Sequence, residues 1–198
     1  MTSHDSAVET LEPGGGRPMR ADARRNYDRL VVAARQMFAR EGGSVSMEAI
    51  AREAGVGVGT LYRHFPTRID MVEAVYRTDV DTLVQTAERV VDDLEPWPAV
   101  VEFLEAFVRY AQGKRTFVNE LHEAFDRDPE LRVRMHDRIE EALQLVIGRA
   151  QEAGAVRTDV DGGDVMQLVG PMCINATLTE DQSMRLLRMI LDGLRRTN

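Results

Sequence analysis

The sequence lacks several features that define other protein classes. It contains a single cysteine, Cys173, so a disulfide within the chain and a cysteine-based zinc site are both excluded. No stretch approaches about 18 uncharged apolar residues, so we expect no transmembrane helix and no membrane partner. The first sixteen residues hold three acidic residues and no apolar run. This composition argues against a secretory signal and favours a cytoplasmic location.

The charge of the chain is unevenly distributed. The 198 residues are acidic as a whole, with a formal net charge of −8. Residues 17–68 differ from the rest because they hold ten arginines against five acidic residues, a local excess of +5. A basic segment beside an acidic remainder is typical of a module that binds a polyanion. Chance clustering of arginines on solvated helix faces is the alternative.

Apolar residues recur at helical spacing in nearly every segment from Ala21 onward, and no clear run of alternating β-branched residues is present. We therefore predict an all-α protein of about nine helices. Residues 1–20, which are rich in glycine and small polar residues, are predicted to form a flexible arm. The remainder is predicted to divide into an N-terminal helical domain over residues 21–68 and a helical body over residues 69–198.

Residues 47–71 are the most informative stretch. Two short helices joined by a turn at Gly55 predict a helix-turn-helix, and Ser46 is placed to cap the first of them. Residues on the outer side of the second helix would reach base edges and phosphates in a major groove. These outer residues are Val58, Gly59, Thr60, Tyr62 and Arg63, with His64 near the helix end.

This stretch resembles the TetR family of one-component bacterial transcriptional regulators. The similarity is carried by IAREAGV, by GTLYRHFPTR and by the long apolar helix that follows, and it is strong from residue 24 to about residue 76. It implies an N-terminal three-helix DNA-binding domain and a divergent helical body that binds a small ligand and dimerises through its last two helices. Gly57 departs from the family pattern, which has a serine as the cap of the recognition helix.

The resemblance also implies roles for single side chains. Gly59 and Thr60 fall at base-contacting positions. Tyr62 and His64 fall where phosphates are bound, and Arg68 falls where a basic residue touches the DNA backbone. Arginines on the N-terminal side are candidates for a minor-groove contact, with a solvated tail as the alternative. The complete set of DNA-binding candidates is Arg24, Arg25, Ser46, Val58, Gly59, Thr60, Tyr62, Arg63, His64 and Arg68.

The body is a candidate for ligand binding, because aromatic and other apolar residues recur on its successive predicted helices. A plain hydrophobic core predicts the same residues, and the resemblance favours a pocket. His122, His136 and Asn175 would supply polar contacts. The predicted ligand-binding residues are Trp97, Phe103, Phe107, Tyr110, Phe117, Leu121, His122, Phe125, Met135 and Asn175.

The last two predicted helices carry wide apolar faces. Faces of this width suit packing both inward and across a two-fold axis, which would form a four-helix interface between two copies of the chain. The predicted dimer-interface residues are Met166, Val169, Leu187, Ile190, Leu191 and Leu194.

Two other motifs do not carry chemistry. The glycines between Gly55 and Gly59 follow a helix, whereas a dinucleotide-binding loop follows a strand. The segment from His122 to Asp126 ends in aspartate where the zinc-protease motif has a second histidine. We therefore expect no metal, no cofactor and no catalytic set of residues.

These observations predict a sequence-specific DNA-binding transcriptional regulator that acts as a homodimer. In the form we favour, it is a repressor that a small-molecule effector releases from a palindromic double-stranded DNA operator. Two alternatives remain open. One is an activator or ligand-independent regulator of the same fold, and the other is a small helical enzyme or ligand-binding protein whose helix-turn-helix only packs.

Overall fold

The chain is helical throughout the part that the structure, a computed structural model, describes: residues 16–174 and 177–196. Short 3-10 turns at Gly42–Ser44 and Lys114–Phe117 separate some of the helices in these residues. The nine α-helices are α1 Gly16–Glu41, α2 Met47–Glu53, α3 Val58–His64, α4 Arg68–Asp93, α5 Pro96–Gly113, α6 Val118–Arg127, α7 Pro129–Glu152, α8 Gly162–Ile174 and α9 Glu180–Leu194. The predicted all-α fold is confirmed. None of the described helices has an apolar stretch long enough to cross a bilayer.

The first helix starts earlier than predicted. Residues 1–15 of the predicted arm lie outside the described residues, but residues 16–20 belong to α1. Pro18 is compatible with this position, because backbone N–H groups in the first turn of a helix have no acceptor within the helix. Residues 16–20, which were predicted as part of the arm, are therefore helical in the structure.

Short local signals set several helix ends. The side chain of Thr67 accepts a hydrogen bond from the backbone N–H of Asp70, and the Asp70 carboxylate accepts one from the N–H of Thr67. Thr179 and Gln182 form the same reciprocal capping box at the start of α9. Such pairs satisfy backbone donors that the first turn of a helix leaves without partners.

The long helix α4 holds the fold together, because it packs against α1, α5, α6 and α7. Its buried positions recur at helical spacing and include Val72, Val80 and Leu83. The hydrophobic core continues from the first three helices into the body. The rings of Phe38 and Phe117, both buried, lie with their centroids 5.6 Å apart at this junction.

The start of α8 lies very close to α7. The backbone N–H of Gly162 donates a hydrogen bond to Oε1 of Gln144 at 2.9 Å. A Cβ atom at Gly162 would lie 2.7 Å from the backbone nitrogen of Gln144. A side chain at this position would therefore separate the two helices. An isolated antiparallel bridge between Val156 and Arg195 joins the end of α9 to the connection between α7 and α8.

Candidate nucleic-acid interface

Helices α2 and α3 form the predicted helix-turn-helix. Ser46 caps α2, since its hydroxyl accepts a hydrogen bond from the N–H of Ala49 at 3.1 Å. Ile50 and Leu61 are fully buried and pack the two helices into the core. Gly55 forms the turn with a φ of +61°, a conformation that residues with a Cβ rarely adopt. The carbonyl of Gly55 accepts a hydrogen bond from Nη2 of Arg29 at 3.3 Å, which joins the turn to α1.

The outer side of α3 faces solvent, as predicted. Val58 is 42% exposed and Tyr62 is 41% exposed, and Gly59 and Arg63 are exposed as well. Thr60 is half-buried. Gly57 occupies the cap position without a side-chain hydrogen bond. The helix therefore presents a short, largely polar edge that is not packed against the rest of the chain.

Tyr62 is held by an acidic residue that sequence reasoning did not single out. Its hydroxyl donates a hydrogen bond to Oε1 of Glu48 on α2 at 2.8 Å. Backbone hydrogen bonding and this contact lower the pKa of Glu48, and the same contact raises the pKa of Tyr62. Glu48 therefore remains charged beside the candidate phosphate-binding tyrosine. The spacing of the two residues in the sequence gave no indication of the contact.

Arg63 folds back along its own helix. Its Nε donates to the carbonyl of Gly59 at 3.1 Å, and its Nη2 donates to Oγ1 of Thr60 at 3.2 Å. The guanidinium group therefore lies next to the threonine that was predicted to contact bases. Both side chains belong to the exposed edge of α3.

Arg68 occupies a different environment from the one predicted. Its Nε donates to Oε1 of Glu120 at 3.0 Å, and Nη1 donates to the carbonyl of Val45. The guanidinium carbon lies 5.0 Å from the centroid of the Phe38 ring. The side chain is only 25% exposed, because the first turn of α4 packs against α6 and the end of α1. Arg68 thus joins structural elements and is not presented on the surface beside α3.

The other DNA-binding candidates lie at the edge of the motif. His64 is half-buried, and its ring centroid lies 6.0 Å from that of Tyr27. Arg24 and Arg25 are exposed on α1, where they form ion pairs with Asp28 and Asp22. Both arginines therefore belong to a helix and not to an extended arm of the kind that enters a minor groove.

Ion pairs offset much of the positive charge that the sequence places in residues 21–68. Most arginines of residues 21–68 lie within 4 Å of an acidic side chain, as Arg40 does with Glu41. Among the arginines of this segment, Arg29, Arg52 and Arg63 form no ion pair with the acidic side chains that the structure describes. These three arginines are distributed over the three N-terminal helices, and one of them, Arg63, lies on the exposed edge of α3.

The predicted dimer residues mostly pack inside one copy of the chain. The buried ones are Met166, Val169, Leu187, Leu191 and Leu194, and Ile190 is partly buried. The outer apolar face of α8 and α9 consists mainly of other residues. Leu168 is 57% exposed and Met189 is 69% exposed. Together with Met172, Leu186 and Ile190 they line one apolar groove, called the α8–α9 groove below.

The predicted ligand-binding residues do not surround one common cavity. Tyr110 and Phe117 line a cavity of about 450 Å³ beside α1, and Phe107 lines a second cavity of about 560 Å³. The remaining apolar ones are core or partly buried residues, such as Phe103 in the core and Trp97, whose ring lies 5.0 Å from the guanidinium carbon of Arg195. His122 is exposed on α6, and Asn175 lies outside the described residues.

The second cavity, called the basic cavity below, lies between α4, α5, α7 and α8. His136, one of the polar groups considered from the sequence, lines it. Sequence reasoning missed Tyr76, Lys114 and Arg132, which also line it. The described side chains contain no group of three or more histidine, cysteine, aspartate or glutamate residues that could hold a metal ion.

Two family models match the chain. The model for bacterial regulatory proteins of the tetR family matches residues 30–75, which include α2 and α3. The model for the C-terminal domain of SbtR-like transcriptional regulators matches residues 95–196. The helix-turn-helix and most of the body are therefore covered by separate models.

Solved structures and curated sequences agree with these matches. A TetR transcriptional regulator from Streptomyces coelicolor is 33% identical, with a TM-score of 0.76 over 87% of this chain and 99% of that one. A TetR regulatory protein from Mycobacterium vanbaalenii is 35% identical, with a TM-score of 0.69 over 90% of this chain and 100% of that one. An HTH-type transcriptional regulator from Staphylococcus aureus is 40% identical over 76 residues, which span 38% of this chain and 41% of that relative.

The turn between α2 and α3 generates a prediction about stability. Replacing Gly55 with alanine should lower the free energy of unfolding by about 1–2 kcal/mol, because the positive φ strains an alanine and its Cβ would displace the Arg29 side chain. Gly59→Ala is the matched control. Gly59 lies within α3 with open space around it, so alanine should raise stability by about 0.5–1 kcal/mol. Urea unfolding of both variants measures the difference, and equal effects would contradict this role of the turn.

Proposed function

Since the chain belongs to the TetR family of bacterial regulatory proteins, we propose that it is a cytoplasmic, homodimeric repressor that binds a palindromic operator and is released by a small-molecule effector. The family is one of transcriptional regulators, so the alternative of a small helical enzyme is set aside. The proposal has three parts, which concern DNA binding, dimerisation and release.

The observation that carries DNA binding is the exposed edge of α3, which includes Arg63. Val58, Gly59 and Tyr62 are open to solvent, and Thr60 lies beside them. Arg63 forms no ion pair with the acidic side chains of the described residues, so its charge is available to phosphates. A short protruding helix of this kind fits a major groove, where side chains read base edges. The acidic remainder of the chain would be held away from DNA by repulsion from the phosphates.

Dimerisation is supported by the α8–α9 groove. Leu168 and Met189 expose large apolar side chains on the same outer surface, and contiguous exposed apolar surface marks an interaction site. A two-fold axis through this groove would form an interface of four helices. The two copies of α3 would then enter successive major grooves about 34–36 Å apart.

Release requires a movable helix that adjoins both the effector cavity and the helix-turn-helix, and we propose α4 for this role. It begins at Arg68, beside the helix-turn-helix, and carries Tyr76 on the wall of the basic cavity. One helical turn further on, Oδ1 of Asp79 pairs with Nε of Arg35 on α1 at 2.7 Å. An effector that binds one position of α4 more tightly than the other would shift α1 and alter the spacing of the two recognition helices.

DNA binding can be tested through its dependence on salt. Duplexes selected from a random pool by the full-length protein should bind with an affinity that falls steeply as salt rises. Arg63→Gln should reduce the slope of log affinity against log salt by about one, because one phosphate contact is lost. Arg138→Gln on α7, an exposed arginine paired with Asp81, is the control and should leave the slope unchanged. An affinity that is independent of salt, or equal for scrambled duplexes, would overturn the proposal.

Sequence preference should depend on Thr60. Thr60→Val removes the hydroxyl and keeps a side chain of similar volume, so discrimination at one base pair should fall by about 1–3 kcal/mol. Binding to a panel of operators with single substitutions, measured by fluorescence anisotropy, gives this quantity. A uniform loss of affinity across the panel would show that Thr60 does not contact a base.

The dimer proposal assigns different roles to Met189 and Leu191, which lie two positions apart on α9. Met189→Glu changes the α8–α9 groove and should give a folded monomer in light scattering. Leu191→Glu instead places a charge in the core of one copy, because Leu191 is only 8% exposed. It should lower the free energy of unfolding by about 3–5 kcal/mol. A Met189→Glu protein that stays dimeric would place the interface elsewhere.

A further inference from the structure

The basic cavity has the size and walls of a small-molecule site. Its volume of about 560 Å³ lies within the range of ligand pockets in proteins. Apolar side chains from three helices line much of it, including Phe107, Ile139 and Met166. Each of these three is buried in the core, with an exposure of 6% or less. The floor of the cavity is therefore apolar and firmly held.

The cavity has a basic lining. Lys114, Arg132 and His136 line the cavity, and the described lining contains no aspartate or glutamate. Arg132 and His136 are four residues apart on α7, so they lie on the same face of that helix, and both are exposed at the mouth. Lys114 comes from the 3-10 turn after α5 and is half-buried. Basic groups from two elements therefore converge on one apolar space.

Lys114 is held at this place by aromatic rings. Its Nζ lies 4.0 Å from the centroid of the Tyr110 ring and 5.3 Å from that of Tyr76. Attraction between the ammonium group and the electron-rich ring faces holds the charge of Lys114 at this place.

One acidic group near Lys114, Asp79, is paired with Arg35. Burial raises the pKa of Asp79, and the charges of Arg35 and Lys114 act in the opposite direction. Arg35 pairs directly with the Asp79 carboxylate. The Asp79 charge is therefore shared between Arg35 and Lys114, and Asp79 itself does not line the basic cavity.

We infer that the basic cavity binds an amphipathic anion, in which a compact alkyl or aromatic body carries a single carboxylate. The inference rests on the proposed function, because it names the chemical class of the effector. The apolar body would lie against Phe107, Ile139 and Met166. The carboxylate would face Lys114, with Arg132 and His136 at the mouth. Charge-assisted hydrogen bonds to a carboxylate are strong where apolar walls exclude water. An amine of the same shape would meet like charges.

Matched ligands that differ only in the head group test this inference. Isothermal titration calorimetry on the full chain would compare 4-phenylbutyrate with 4-phenylbutanol and 4-phenylbutylamine, and octanoate with 1-octanol and octylamine. In at least one series the carboxylate should bind about tenfold more tightly than the alcohol, a ratio typical of a hydrogen bond to a charged group. The amine should bind most weakly. Equal affinity for the carboxylate and the alcohol in both series would overturn the inference.

Single substitutions test whether the basic side chains of the lining cause the preference for a carboxylate. Lys114→Gln should weaken carboxylate binding about tenfold and leave alcohol binding within about twofold. Arg132→Gln should weaken carboxylate binding about two- to fivefold, because an ion pair with an exposed arginine contributes less binding free energy than one with a half-buried lysine. Arg134→Gln is the control on the same helix, because Arg134 pairs with Asp128 and Glu130 and does not line the cavity. Carboxylate affinity that is unchanged in Lys114→Gln would overturn the inference.

Experiments with DNA distinguish a failure of the proposed function from a failure of the proposed ligand class. Binding of the selected duplex is measured first without any ligand, so its failure contradicts the proposed function alone. A carboxylate that binds the cavity but leaves the DNA complex intact would contradict release and still support the ligand class. A carboxylate that binds and dissociates the complex in the parent chain, but not in Lys114→Gln, would support both proposals.

Discussion

The position of the helix-turn-helix depends on the contacts of one guanidinium group. Arg68 donates to the carbonyl of Val45, pairs with Glu120 on α6 and lies over the ring of Phe38. These partners belong to the segment before α2, to the body and to α1. Because the group is largely buried, its bonds are exposed to little competition from water. Helix α4 continues from this residue as the central helix of the body, so any displacement of α4 acts directly on the elements that carry α3.

Local signals predicted much of the framework from the sequence. Ser46, Thr67 and Thr179 each cap a helix through contacts within three residues, and Gly55 marks its turn by its own backbone conformation. Such features require no knowledge of the tertiary structure. The burial of Ile50 and Leu61 also follows from the spacing of apolar residues, because a short helix that buries one face has few positions that can enter the core.

Features that depend on distant partners could not be predicted in this way. Arg68 meets Glu120 from 52 positions away, so its burial is invisible in the local pattern. On α9, Leu191 and Met189 belong to one broad apolar stripe, and only the position of neighbouring helices decides that the first is buried and the second exposed. Aromatic residues such as Phe103 match a core and a pocket equally well. The basic cavity is defined instead by Lys114 and Arg132, which join from separate elements.

Close contact between α7 and α8 limits how this architecture can diversify. Gly162 leaves no room for a Cβ beside the backbone of Gln144, and a backbone cannot turn aside as a flexible side chain can. The side chains that face the basic cavity are free of this restriction, since each can be exchanged singly while the helices stay in place. Single substitutions in the lining can therefore change which molecules fit the cavity in small steps. A substitution at Gly162 would instead separate α7 from α8 and change the shape of the basic cavity as a whole.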